Sequence, residues 1–473
     1  MSSADAPVMP SEPSDIPNFL MLDQVPTNYV QQLETDLLEP VVFQQGTATS
    51  DGFARFTLQN KGFLHSHSKI FISVEPQANV SAGYFQPHVG VAQVIKKAVL
   101  KIGNKTLNEL DSWDSLHAVK SSLISNENNV EREIYTTGRF LNHGFRYNEK
   151  SRVLADTYGI DNGVDYDGTS LSMPDWYVMD SDNKTECPSF SVDLSDLFPF
   201  LKVNQLPLYM INEPINIELT FHPTTKKRLQ IGSGDTTDQT INIVRDELKF
   251  CADYIYYGAS DEMIQYQNAN RDLSFSFVDY RLVEHTTSGT EIASGVVRNL
   301  GMSNRMVPRI ITVLPQSGAG EDTILGANNS QAPTMTDTGL SSSAVGLRYN
   351  VRYNDRFEFT SDVDNSARLF SSFTQSEGVP FITRQEYSDQ GSVAGGITTD
   401  TLQGKAQDTN LTGNFFYLGT KLTNGRVGQR GLELFLTGAF DTSGGTPLDL
   451  MRNYCEYIRV ARLSDGLFDV FNA

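Results

Sequence analysis

The residues best suited to chemistry are few and far apart. His65 and His67, in Leu64-His65-Ser66-His67, are spaced to share one side of a strand, as paired metal ligands do. No third ligand lies near them in sequence, so a solvated or packed pair is the expected reading. Asp161, Asp165 and Asp167, in a stretch with Gly163 and Gly168, resemble the alternating carboxylates of a calcium loop but lack the closing bidentate Glu. No Gly-rich phosphate loop ending in Gly-Lys-Ser/Thr is present, and no dinucleotide fingerprint follows a strand. The Gly-x-Ser-x-Gly nucleophile elbow is absent too, and Ser-rich Gly339–Ala344 sits in a loop with no base fixed nearby. Paired carboxylates of a glycosidase need no local motif, so the many Asp and Glu residues neither support nor remove that reading. The expectation is that the chain has no catalytic residue, no cofactor-binding residue and no metal ligand, and that it is not an enzyme.

Charge and cysteine content bound the partners. The chain has 473 residues and a formal net charge of −20, which opposes broad contact with a polyphosphate, since such binding rests on clustered Lys and Arg. The longest basic run, Lys226-Lys227-Arg228, reads as a solvated turn after a strand. Cys187, Cys251 and Cys455 are odd in number and widely spaced, which fits buried thiols made in a reducing compartment and not a disulfide framework. The first residues, MSSADAPVMPSEPSD, have neither the basic nor the apolar segment of a secretory signal. No apolar run is long enough to span a bilayer as a helix. The glycosylation sequons at Asn79, Asn104, Asn183 and Asn410 are about as many as this Asn- and Ser/Thr-rich composition yields by chance.

The elements that would carry any function are strands. In Ile215–Phe221 the residues Ile215, Ile217, Leu219 and Phe221 alternate with Asn216, Glu218 and Thr220, the period of a half-buried strand. Leu206–Met210 reads as its hairpin partner across Asn212-Glu213-Pro214, where proline favours a turn. A weaker echo of this hairpin, Pro447-Leu448 with Ile458–Leu463, stands at the end of the chain. Further strands are expected at Phe53–Leu58, Lys69–Val74, either side of Gly103-Asn104, Phe250–Tyr257, Leu273–Val283, Met306–Leu314, Phe415–Leu418, Leu432–Phe440 and Tyr454–Leu463. Short helices are expected near Tyr29–Leu38, after a Ser112 cap with Leu116, Val119 and Leu123 on one face, from Ser260 to Gln267, and over Asp364–Phe373. Residues 143–188, 315–345 and 386–412 read as long polar loops. The pattern predicts an all-β chain: an arm over 1–40, a first jelly roll over 41–235 and a second over 236–473, divided at Gly232–Asp238.

Four stretches, in order along the chain, resemble the double jelly-roll major capsid proteins of double-stranded DNA viruses. They are Ala98–Leu123 (AVLKIGNKTLNELDSWDSLHAVKSSL), Leu206–Phe221 (LPLYMINEPINIELTF), Asp253–Tyr257, which is similar to the start of the family's second jelly roll, and Cys455–Val460 with Leu463–Phe471. Phe415–Thr420 and Arg426–Gly431 are most similar to the polinton-like viruses, relatives of virophages. The resemblance implies two tandem eight-stranded jelly rolls, and a structural protein that assembles as homotrimeric, pseudo-hexagonal capsomers tiling an icosahedral shell. Its implied partners are itself, neighbouring capsomers, and penton and minor capsid proteins; an internal membrane is left open. It implies no cofactor and no specific nucleic-acid binding, and places the protein in the virion after synthesis and assembly inside the host cell. The alternative is a two-sandwich carbohydrate-active enzyme or carbohydrate-binding protein, because paired jelly rolls also occur in an amide-cleaving deglycosylase. Such an enzyme is normally secreted, and the missing signal and unpaired cysteine spacing speak against it.

Composition also sets where a protease should cut. Residues 315–345 carry almost no large apolar side chains apart from Ile324, Leu325 and Leu340, so they cannot hold a core position. Limited proteolysis of the native protein is expected to cleave within 315–345 before any strand, with the fragments remaining associated. First cuts inside Leu206–Phe221 or Tyr454–Leu463 would show that the cores have been misplaced.

Overall fold

The computed structural model describes residues 30–47, 49–76, 83–84, 90–117, 136–137, 189–223, 230–231, 241–257, 272–314, 348–364, 368, 371–372, 417–438 and 450–472. Alternation of apolar and polar residues sets the framework. In the strands Gly52–Leu58 and Ile215–Phe221 every second residue is buried, so Ala54, Phe56, Ile217 and Leu219 point into one core while Arg55, Thr57, Asn216 and Glu218 face outward.

The first half contains β1 (Val30–Leu38), β2 (Val42–Gln44), β3 (Gly52–Leu58), β4 (Phe63–Leu64), β5 (Lys69–Pro76), β6 (Gly83–Tyr84), β7 (Ile95–Ile102), β8 (Lys105–Asp111), β9 (Ser189–Asp193), β10 (Leu206–Pro207), β11 (Ile215–Phe221), β12 (Gln230–Ile231), β13 (Ile241–Ile243) and β14 (Lys249–Tyr257). The second half contains β15 (Asp272–Thr286), β16 (Val296–Gly301), β17 (Arg309–Val313), β18 (Arg348–Tyr353), β19 (Arg356–Phe357), β20 (Tyr417–Lys421), β21 (Leu432–Thr437), β22 (Leu450–Ser464) and β23 (Leu467–Asn472). Helices are short: α1 (113–117), α2 (Leu194–Leu197), α3 (Pro199–Val203) and α4 (Gly289–Ser294), the last closed by a Ser288–Glu291 capping box.

Both halves share one topology. In the first, the sheets run β1-β14-β5-β9 and β3-β11-β7-β8, with β4, β10 and β13 extending one sheet and β2 the other. In the second they run β15-β22-β17-β20 and β16-β21-β18-β19, with β23 folded back on β22. Numbered within its own half, each set reads first-eighth-third-sixth in one sheet and second-seventh-fourth-fifth in the other. All of these pairings are antiparallel, and that order is the eight-stranded jelly roll. The chain is a double jelly roll, and one connected apolar core runs through both halves.

Several expectations are corrected by the pairing. Leu206–Met210 is not the hairpin partner of β11: Leu206 and Pro207 pair with β4 in the opposite sheet, Leu208–Met210 is a 3-10 turn, and β11 lies between β3 and β7. A two-residue period identifies a strand but not its neighbour, and successive jelly-roll strands cross between sheets. Phe250–Tyr257 does not open the second half, because it pairs with β1, β4 and β5 and closes the first sheet. The strand therefore lies beyond the Gly/Asp-rich stretch at 232–238 that had suggested the division. Val30–Leu38 is an edge strand and not a helix. The pair Pro447-Leu448 with Ile458–Leu463 is not a closing hairpin: Ile458–Leu463 belongs to the long β22, whose hairpin partner is β23. Gly103-Asn104 does turn β7 into β8, with Gly103 at φ +56°. The helix after Ser112 spans 113–117; Val119, Leu123, 260–267, Pro447-Leu448, most of 364–373 and the three long loops lie outside the described residues.

Strand β1 shows how an edge is secured. Lys61 Nζ donates to Glu34 Oε1 at 2.5 Å and Asp36 Oδ2 at 2.7 Å and lies 4.6 Å from the Tyr254 ring centre, while the Tyr256 hydroxyl donates to Glu34 Oε2 at 2.9 Å. The hydrogen bonds from Lys61 and Tyr256 hold the Glu34 carboxyl below its ordinary value of 4.5. A depressed carboxyl contributes fully above its unfolded value and loses that contribution as pH falls through the folded one. Hydrogen-exchange protection of the β1 amides is therefore expected to drop, relative to β11, as pH is lowered from 4.5. In Lys61→Met the β1 protection should already be lower at neutral pH and fall less over this step, because only the Tyr256 hydrogen bond still favours the Glu34 carboxylate. Equal protection of β1 in both proteins at both pH values would exclude the latch.

Candidate functional site: the junction between the two jelly rolls

None of the scattered reactive residues forms a reaction centre among the described residues. His65 and His67 sit in the turn between β4 and β5, not on a strand; their rings are 5.2 Å apart, and His65 Nδ1 accepts the His67 backbone N–H at 3.0 Å. Burial, then the neighbouring His67, lowers the His65 pKa. No group of three or more His, Cys, Asp or Glu able to hold a metal ion occurs among the described residues. Burial pushes the Cys455 thiol up to about 12 and raises Cys251, so neither is a ready thiolate at neutral pH. A narrow cleft lined by Phe43, Val94, Phe221 and Ile243 has His222 as its one titratable side chain, and His222 Nε2 is 2.9 Å from buried Asp114. Cys187, Asp161–Gly168, Lys226–Arg228 and Gly339–Ala344 lie outside the described residues.

The polar chemistry of the fold is concentrated where the halves meet. Strand β8 of the first half is bulged opposite Leu100/Lys101, so that Leu107 and Asn108 are both fully buried in succession. An extra residue in one strand re-aims the side chains beside it. Leu107 joins the core, and Asn108 reaches the second half. Asn108 Nδ2 donates to Asp279 Oδ1 at 3.1 Å, and Asn108 Oδ1 accepts the Phe200 N–H at 2.9 Å. Asp279 on β15 is 1% exposed and accepts three further hydrogen bonds: from Tyr280 N at 3.0 Å, Tyr457 Oη at 3.1 Å and Arg459 Nη1 at 2.9 Å. Arg459 Nη1 also donates to Leu107 O at 2.7 Å, returning the network to the first half. Burial pushes the Asp279 carboxyl up, and the Asn108, Arg459 and Tyr457 donors oppose that shift.

Apolar contacts surround this network. Phe200 of α3 meets Phe277 and Phe275 edge-on, with ring centres 5.0 and 5.8 Å apart, and Phe275 stacks on Phe468 of β23 at 6.1 Å. A second tie joins the turn after Met210 to the β22–β23 turn. Asn212 N donates to Gly466 O at 2.9 Å, Phe468 N donates to Glu213 Oε2 at 3.0 Å, and Lys105 Nζ meets Asp469 Oδ1 at 2.8 Å. Gly466, at φ +84°, faces Asn212 so closely that a Cβ there would strike its carboxamide. A third tie is the Tyr454 hydroxyl donating to Ser112 O at 2.9 Å. Together these contacts hold two barrels in one fixed placement. What these contacts do is architectural: they set the geometry between the halves.

Sequence reasoning did not single out these junction residues. Asn108, Asp279, Tyr457 and Arg459 are ordinary polar positions of strands; the one local sign was Leu107-Asn108, where alternation must break if both are buried.

These features define the class of protein to which the fold corresponds: paired jelly rolls joined side by side in a single chain. No protein-family model and no curated protein sequence matches the chain. Solved structures do. The chain is similar to the PBCV-1 virus capsid (TM-score 0.54, 10% identity, 94% of this chain and 98% of that one). It is likewise similar to the Sputnik virophage structure (TM-score 0.51, 10% identity, 100% and 95%) and to the mavirus major capsid protein (TM-score 0.50, 10% identity, 100% and 96%). The likeness extends over nearly the whole length of each and shows a shared double jelly-roll fold.

The buried network gives a direct test. Asp279→Ala leaves the Arg459 guanidinium and the Asn108 amide facing each other without their acceptor, and removing one partner of a buried ion pair costs about 3–5 kcal/mol. Denaturant unfolding should show a loss of that order. Asp279→Ala together with Arg459→Met should recover part of it. A double variant no better than the single one would show that the charge pair is not the coupled unit.

Proposed function

We propose that this chain is the major capsid protein of a double-stranded DNA virus related to the virophages and polinton-like viruses. Its role is structural: copies associate as trimeric, pseudo-hexagonal capsomers that tile the faces of an icosahedral shell. The observation that carries the reading is the repetition of one strand order in two halves welded by a buried, hydrogen-bonded junction. Two similar barrels held rigidly side by side make an object with two near-equivalent sides, and three such objects around an axis make a six-cornered tile. No reactive constellation is needed for that task. The protein's location on this reading is the virion, after synthesis in the host cell.

The halves are assigned as 30–257 and 272–472, by the sheets in which their strands pair. Residues 1–29 precede β1 and are assigned to contacts with neighbouring capsomers, penton or minor capsid proteins, because their Pro/Ser/Asp-rich composition offers little apolar surface to bury alone. The net charge of −20 fits a shell that encloses DNA without gripping it.

Light scattering of the purified protein should give a particle of about three times the 52.5 kDa chain mass, and negative-stain images should show hexagonal outlines. A stable monomer at micromolar concentration would overturn the proposal.

A further inference from the structure

Besides Asp279, the junction holds a further buried carboxylate, and this one has a histidine as its partner. Asp114 of α1 is 2% exposed. His222, the residue after β11, is mostly buried and brings Nε2 to 2.9 Å from Asp114 Oδ2. α1 is also where the first half meets β22. Ser112, held at φ +47°, gives its carbonyl to the Tyr454 hydroxyl at 2.9 Å, and buried Trp113 donates from Nε1 to Asp196 O at 3.2 Å. In the second half Arg452 is 6% exposed, and its Nε donates to Glu284 Oε1 at 2.8 Å. Burial works against the Arg452 charge, but Tyr454, Glu284 and Asp114 outweigh it and raise its pKa. Asp114 is thus engaged from both halves, by contact with His222 and through the field of Arg452.

From this we infer that the His222–Asp114 contact is a proton-operated clasp on the junction: protonation of His222 tightens α1 against β22. The charge count gives the direction. Asp114, Arg452 and Glu284 together carry one excess negative charge while His222 is neutral, and a proton on His222 cancels it. Opposite charges at hydrogen-bond distance away from water attract strongly, and histidine is the side chain that ordinarily titrates between about pH 5 and 8. The groups around His222 supply no substitute. Lys96 is paired with Asp51 at 2.8 Å, and the cleft beside His222 offers Phe43, Gln44, Val94 and Ile243, none of them titratable. Arg452 opposes the proton but is tied to Glu284. His117 of α1 stacks on Trp113 with ring centres 4.7 Å apart, and His285 of β15 stands opposite Met451 in the register, its pKa lowered by burial and then by Arg298. A histidine that gains a carboxylate on folding binds its proton more tightly folded than unfolded. Its contribution is full below the unfolded value of about 6.5 and is lost as pH rises through the folded one. The clasp is closed in mild acid and loosens above neutrality. Both partners lie in one chain, so it works within a single copy and does not depend on the capsid reading.

The test is hydrogen exchange of residues 112–117 in the full chain at about pH 6 and about pH 8, corrected for the intrinsic pH dependence of exchange and referred to β21. In the wild type these amides should exchange about tenfold more slowly at the lower pH, the effect of a proton held one pH unit more tightly. His222→Gln and Asp114→Asn should each abolish that difference, whereas His117→Gln and His285→Gln should keep it. Circular dichroism checks folding, and should His222→Gln misfold, the near-isosteric Asp114→Asn decides. A wild type with no difference between the two pH values would overturn the clasp whatever the variants do. A difference that survives in folded His222→Gln, or that vanishes in His117→Gln alone, would overturn it as well, by placing the proton elsewhere.

Discussion

A single buried carboxylate fixes the relation between the two halves. Asp279 gathers Asn108 from the first jelly roll and Tyr457 and Arg459 from the second, and Arg459 reaches back to the Leu107 carbonyl. Such a group tolerates little displacement. Apolar surfaces slide over one another at modest cost, but moving Asn108 or Arg459 away from Asp279 leaves a charge and several polar groups unsatisfied in a low dielectric. The network therefore specifies one placement of the barrels, while the surrounding Phe200, Phe275, Phe277 and Phe468 cluster supplies the burial that drives the halves together. Replacing the charges by well-fitted hydrophobic residues need not weaken the contact. What the charges add is registry.

That registry depends on small backbone devices. The bulge in β8 turns Asn108 toward the second half, and Gly466 lets the β22–β23 turn lie against Asn212. Neither is a large energetic term. Each removes an alternative: without the bulge, alternation would place Leu107 and Asn108 on opposite faces, and a side chain at Gly466 would push the second tie apart.

The strands were largely readable because burial imposes a period. β3, β7, β8, β11 and the core of β15 and β22 are where alternation and β-branched content put them, and the double jelly-roll class followed. Pairing was less readable. Leu206–Met210 and Ile215–Phe221 looked like a hairpin because they are adjacent, yet a jelly roll sends most neighbours in sequence to opposite sheets, the β7–β8 and β18–β19 pairs apart. β14 looked like the start of a new unit because Gly232–Asp238 precedes it, while its partners β1 and β5 lie roughly two hundred residues upstream, beyond any local signal. β1 has Leu33 and Leu37 four apart, a helical spacing, and both are exposed; pairing with β14 decides its conformation. The junction was hidden for the same reason. Asn108, Asp279 and Arg459 acquire meaning only when three distant strands converge.

The chemistry of the junction follows from its permanence. The halves are covalently joined, so their effective concentration is high from the start, and the junction can devote buried polar groups to geometry. Contacts between separate chains must recover the entropy of association, which favours preformed aromatic and arginine surface over buried charge. The first pattern is seen at Asp279. Equivalent topology with unequal surfaces also gives the duplicated barrel a direction: a head-to-tail contact between unlike faces makes a ring where its rotation closes and a filament where it does not, whereas two like faces would pair as a twofold dimer. Unequal outer faces on a constant strand order are thus what make the two sides of a repeated fold distinguishable to a partner.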